Sequence, residues 1–197
     1  MAVENCNEIT VRVKGDLKEF YKNIEKKGFK VTDRFKMDDT FFIPQNLEIE
    51  KLSARDILKK AIIIRVVERS NGKLVKNITF KRKEFDDLGN IVFQSKVDCG
   101  VLDVEDAKKL LNAIGYMEVM RIKESDIAFE KDGFSFAVKD IENGDKLIES
   151  EPEPDDETMN DLEKLKDMFD KYEIPIYKDN YFVKKAEIEL DKVLKRD

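Results

Sequence analysis

Histidine is absent from all 197 residues. That excludes Ser-His-Asp and Cys-His nucleophile machinery and any His-ligated metal. Cysteine is scarce: Cys6 and Cys99 are the only two and lie far apart, which fits neither a disulfide scaffold nor a zinc spacing. No apolar run approaches the roughly 20 residues that span a bilayer. Met1 to Asn7 lacks the apolar core of a signal peptide. The expectation is a reduced, cytoplasmic protein. Any chemistry falls to carboxylates, Lys, Arg, Tyr or a metal held by oxygen, and such sites suit Mg or Mn.

Charge is plentiful. Asp, Glu, Lys and Arg make up 41% of the chain, against about 25% in a typical globular domain. The 37 basic and 43 acidic residues leave a net charge of −6. A weakly acidic chain is not expected to bind nucleic acid or an anionic membrane, although a local basic cluster can still take a small anion.

The stretch Glu8-Ile-Thr-Val-Arg-Val-Lys14 alternates strictly. Glu8, Thr10, Arg12 and Lys14 share one face of a strand; Ile9, Val11 and Val13 share the other. Asp16 is placed to cap a helix from Leu17, with Phe20 and Ile24 on its apolar stripe and Gly28 as its stop. Phe29 to Pro44 reads as extended, and 45–60 as loop plus a short helix capped at Ser53 or Asp56. Ala61–Glu68, Leu74–Glu84 and Ile91–Cys99 read as an antiparallel meander, its first turn marked by Asn71-Gly72. Asp103 opens a helix with Ala107, Leu110, Leu111 and Ile114 on one stripe. Met117–Phe129, Phe134–Ile141 and Leu147–Glu151 follow as strands. A helix with a Met/Leu stripe over 159–169 and a final helix over Asp179–Arg196 end the chain. The pattern predicts an α+β fold with about eight antiparallel strands and flanking helices.

The later strands repeat the opening alternation. Arg65 shares a face with Ile63 and Val67. Lys81 and Lys83 oppose Ile78 and Phe80; Lys96 opposes Val97; Arg121 and Lys123 oppose Met120 and Ile122; Glu149 and Glu151 flank the other face. If the sheet closes, these faces line one lumen, and a polyphosphate with Mg would balance the cations and carboxylates. If it stays open, the charges are solvated.

In order and spacing, these motifs resemble the CYTH superfamily of class IV adenylyl cyclases and thiamine triphosphatases. The family's opening Glu-x-Glu-x-Lys is matched by Glu8-Ile-Thr10-Val-Arg12. Its Asp-Thr-Tyr-Phe is matched by Asp39-Thr-Phe-Phe42, its Leu-Arg-Ile-Arg by Ile62-Ile-Ile-Arg65, and its Leu-Thr-x-Lys by Ile78-Thr-Phe-Lys81. Gln94-Ser-Lys96-Val-Asp98, Arg121-Ile-Lys123 and Glu149-Ser-Glu151 complete the series. The resemblance implies one domain over 1–197, with a closed or nearly closed barrel (a tunnel) from strands within 7–151 and a helical segment over 155–197. It implies metal-dependent cleavage of a triphosphate, by hydrolysis or by cyclisation to cyclic AMP. Arg65, Lys81, Lys83, Lys96, Arg121 and Lys123 would hold the phosphates, Glu8, Glu149 and Glu151 the Mg or Mn, and Arg12 and Lys14 would serve catalysis. The implied partner is a small-molecule triphosphate, with no nucleic acid or membrane and with a homodimer left open. Thr10, Arg12, Ile63, Gln94 and Lys139 depart from the family pattern. Those departures motivate the alternative of a catalytically degenerate phosphate-binding protein.

Overall fold

The computed structural model describes residues 9–85, 91–150 and 162–195. Strand β1 (Ile9–Arg12) leads to α1 (Leu17–Lys26), where the Asp16 carboxylate accepts from the Lys18 amide at 2.8 Å. That bond satisfies one of the helix's unpaired first-turn donors. β2 (Lys30–Pro44) is followed by a 3-10 turn (Ile49–Lys51) and by α2 (Ala54–Leu58), whose cap is Ser53. β3 (Ile62–Arg69), β4 (Leu74–Phe85) and β5 (Ile91–Gly100) form the expected meander. α3 (Val104–Ala113), capped by Asp103, leads to β6 (Tyr116–Lys131) and β7 (Phe134–Ile141). Asp132 and Gly133 both take positive φ, 49° and 79°, which is the geometry of a tight hairpin turn. β8 (Lys146–Ser150), α4 (Leu162–Lys171) and α5 (Lys185–Leu194) complete the chain. Among the described residues, no helix is long and apolar enough to cross a membrane.

All eight strands join one antiparallel sheet, in the order β1-β8-β7-β6-β2-β3-β4-β5. Among the described residues the sheet is not closed by hydrogen bonds: β1 and β5 do not pair and are its two edges. The edge of β1 is instead occupied by the segment before α5. The Thr10 amide donates to the Tyr181 carbonyl at 3.0 Å, the Val183 amide to the Thr10 carbonyl at 2.9 Å, and the Tyr177 amide to the Arg12 carbonyl at 3.0 Å. An open strand edge must satisfy its backbone groups somewhere. This is why the final helix starts at Lys185 and not at Asp179.

Apolar packing lies on both sides of the sheet. On the convex side, Phe20 and Ile24 of α1 and Leu165 and Phe169 of α4 pack on Ile9, Val11, Phe134, Val138 and Ile148, all at most 2% exposed. Each such side chain is worth about 1.5–3 kcal/mol when fully buried. α3 covers a smaller patch: Ala107 and Leu111 meet Phe42 and Ile64, while Leu110 and Ile114 stay more than half exposed. The expected α3 stripe is thus only half used. On the concave side, α2 and α5 fill one end, with Ile57 and Leu190 packed among Phe41, Ile43, Ile63, Met120 and Ile122. The rest of the concave side is hollow.

Candidate functional site

The hollow is a cavity of about 850 Å³, and every one of the eight strands contributes to its wall. The period-two alternation decides what faces in. Met37 and Asp39 of β2, Arg65 and Val67 of β3, and Asn77, Lys81 and Lys83 of β4 are all odd-numbered and all line the cavity. Thr10, Lys96, Ala128, Lys139 and Glu149 represent β1, β5, β6, β7 and β8. Arg55 of α2 and Lys185 in the first turn of α5 complete the wall. Among the described residues, the lining holds ten Lys and Arg side chains against four carboxylates: Asp39, Glu130, Glu149 and Glu187.

Five of the expected residues, Arg65, Lys81, Lys83, Lys96 and Glu149, meet in this cavity. Four do not line it. Arg12 bonds Asp145 at 2.9 Å, and Lys14 is exposed beyond the end of β1. Arg121 and Lys123 lie on the opposite face of β6. Arg121 makes two hydrogen bonds to Asp38, at 2.7 and 2.5 Å, and Lys123 borders a shallow outer depression with Asp38, Asp140 and Glu142. The inward residues of β6 are Met120, Ile122, Glu124 and Asp126, all at most 5% exposed. Met120 and Ile122 face inward because α2 and α5 make that end of the concave side apolar. Glu8 and Glu151 lie outside the described residues.

Opposite charges meet at several points of the wall. Arg65 donates two hydrogen bonds to Asp39, its register partner on β2, at 2.7 and 2.6 Å. Burial pulls the guanidinium pKa down, but the Asp39 hydrogen bonds and charge outweigh it and hold Arg65 above its ordinary value. Asp98 accepts from Thr79 at 2.6 Å and pairs with Lys96 at 2.7 Å. These partners overcome partial burial and hold its carboxyl below the ordinary range. Arg55 ties α2 to α5 through Glu187 at 3.0 and 3.2 Å, and its guanidinium lies 4.4 Å from the Phe85 ring centre.

The densest cluster surrounds Lys139. Its Nζ lies 2.8 Å from Glu149, 2.9 Å from Asp126 and 3.2 Å from Glu124, while Glu124 also takes Lys185 at 2.7 Å. Burial works against Glu124, but two ammonium groups hold its pKa low. Among the described residues, Asp126 is hydrogen-bonded by one ammonium, that of Lys139, and its Oδ1 accepts no hydrogen bond. Burial, aided by the Glu124 charge, pushes Asp126 up to about 6. Lys139 was legible in the sequence only as a departure, and Glu124 and Asp126 not at all. Counting alternate residues inward from Met120 and Ile122 would have found both.

This arrangement bears on the expected Mg or Mn. Among the described residues, no group of three acidic side chains is available to hold a metal ion. Glu149 is engaged by Lys139, and its cross-strand neighbour on β1 is Thr10, which brings no carboxylate. The described residues therefore do not fit a divalent cation at this wall.

No family model matches the chain, and no curated protein matches it in sequence. Solved structures do match in fold. The PH1819 protein of Pyrococcus horikoshii OT3 superposes with a TM-score of 0.68 at 17% identity, over 94% of this chain and 99% of that one. A "putative adenylate cyclase" of Vibrio parahaemolyticus gives 0.64 at 14% identity, over 98% of this chain and 99% of that one. A chain of the Schizosaccharomyces pombe Mediator head module gives 0.54 at 8% identity, over 84% and 94%. At these identities the likeness speaks to the fold alone, and the same fold serves chains with very different names.

Proposed function

We propose that this protein binds a phosphate-rich small molecule of the triphosphate class in its concave cavity. The ten basic against four acidic side chains that the described residues bring to one 850 Å³ hollow carry this reading. Lys and Arg side chains converging on a cleft match the spread charge of phosphate oxygens. The first turn of α5 lines the same hollow, and a helix N-terminus favours negative charge. Each charged hydrogen bond to a phosphate would be worth about 1.5–3 kcal/mol. Three of the four lining carboxylates, Asp39, Glu149 and Glu187, are engaged by the protein's own cations, so we favour binding over metal-dependent cleavage.

A second reading keeps the chemistry: cleavage of a triphosphate, by hydrolysis or by cyclisation of ATP, with Mg or Mn on Glu8, Glu149 and Glu151. The full-length likeness to the Vibrio parahaemolyticus chain, with the cyclase name that it carries, supports it. Calorimetric titration with tripolyphosphate, followed by product analysis on ATP, thiamine triphosphate and tripolyphosphate with Mg or Mn, separates the two. Binding without product supports the first reading. Release of phosphate, pyrophosphate or cyclic AMP supports the second. Absence of both binding heat and thermal stabilisation overturns both.

A further inference from the structure

Lys139 lies on β7, between β6 and β8, and draws a carboxylate from each side. Asp126 is its direct register partner on β6, Glu124 is two residues along the same strand, and Glu149 reaches from β8. All three oxygens lie 2.8–3.2 Å from one Nζ. The side chains of Glu124, Asp126 and Lys139 are at most 8% exposed, and that of Glu149 is 17% exposed. Lys185 is the cluster's other cation.

The charges do not balance. Among the described residues, three carboxylates face two ammonium groups, and the buried Oδ1 of Asp126 takes no hydrogen bond. A divalent ion in the place of the Lys139 ammonium would bring the cluster to neutrality, because two positive charges plus that of Lys185 meet three negative ones. Oxygen-only donors are also the ligand type that hard divalent cations prefer. The ammonium and such an ion cannot share the position, since both need the same oxygens.

We propose that the Lys139 ammonium takes the seat of a divalent cation in a cage made by Glu124, Asp126 and Glu149, so that this wall is closed to metal and the cavity binds its anion without it. The cage half of this inference stands on the geometry alone. The metal-free binding half rests on the anion-binding reading given above.

The test compares wild type with Lys139→Ala at pH 7.5, using MnCl2 alone as the metal probe and tripolyphosphate alone as the anion probe. Mn should leave the wild-type melting temperature within about 1 °C of its value in EDTA. It should raise that of Lys139→Ala by about 5–10 °C at roughly 100 times its dissociation constant. An equal shift in wild type, or a folded Lys139→Ala that ignores Mn, overturns the cage. If Lys139→Ala does not fold in EDTA, recovery of its circular dichroism spectrum on refolding in MnCl2 supports the cage. Failure to recover, while the neutral variant Lys139→Met/Asp126→Asn/Glu149→Gln folds, overturns it. Tripolyphosphate should bind wild type in EDTA. Binding only with added metal overturns the metal-free half, and no binding under either condition overturns the anion reading while the Mn comparison still decides the cage.

Discussion

On the β6–β7–β8 wall of the cavity, three carboxylates each lie within 3.2 Å of the Lys139 ammonium, and none of these side chains is more than 17% exposed. On the facing β4–β5 wall, Lys96 and Asp98 are about one third exposed, and Lys81 and Lys83 are only partly buried. Both walls are built from the same alternation of charged and apolar residues. They differ in access to water. A charge taken out of water must be met by an opposite charge or it costs several kcal/mol. A charge that keeps water bears a much smaller cost. The buried wall therefore meets its charges internally, and the charges of the wetter wall remain in contact with water.

Four experiments can break or sharpen this contrast. The largest effect is expected from Lys139→Ala in EDTA: a loss of about 3–5 kcal/mol in urea unfolding, because three buried carboxylates lose their shared partner. A loss below about 1 kcal/mol would put the two walls on the same footing.

Next comes Asp126. Its folded pKa of about 6 lies above the usual carboxylate value, so the folded state holds this proton more tightly than the unfolded chain. The stabilisation from this group is full below about pH 4 and disappears as pH rises through 6. Asp126→Asn removes that dependence. Relative to wild type, the variant should gain up to about 2–3 kcal/mol between pH 4 and pH 7. A stability difference that stays flat with pH would refute the assignment.

On the wetter wall, Lys81→Ala and Lys83→Ala should each weaken tripolyphosphate binding by about tenfold or more. Their urea midpoints should remain near that of wild type. Unfolding of either variant would erase the distinction between the walls. The smallest effect is expected on the outside of the sheet, where Arg121→Ala breaks an exposed pair with Asp38. Stability should change by less than about 1 kcal/mol, and tripolyphosphate binding should not change. A drop in binding would bring Arg121 back to the ligand.

Much of the cavity is legible in the sequence where one face of a strand is plainly apolar. Ile64, Ile78 and Phe80 point outward, so Arg65, Lys81 and Lys83 must point inward, and they do. β6 resists the same treatment because both of its faces carry charge. Its inward face changes from Met120 and Ile122 to Glu124 and Asp126 within four residues, and its outward Arg121 looks equally suited to a ligand. Alternation identifies which residues share a face, but the apolar cover contributed by α2 and α5 decides which face is inside. The stretch 179–184 fails for a related reason. It reads as helix locally, but its backbone hydrogen-bonds to β1.

The sequence by itself determined the strands, the caps at Asp16 and Asp103, and the antiparallel pairing of strands joined by short turns, because these follow from local periodicity and from the conformations that Asp, Asn and Gly permit. It also determined that any chemistry would proceed without histidine. Only the tertiary structure decided that the sheet's edges stay apart, that Arg121 and Lys123 face outward, and that Lys139 gathers three carboxylates from two neighbouring strands. Those outcomes depend on which groups lose water when distant segments meet, and neither composition nor spacing carries that information.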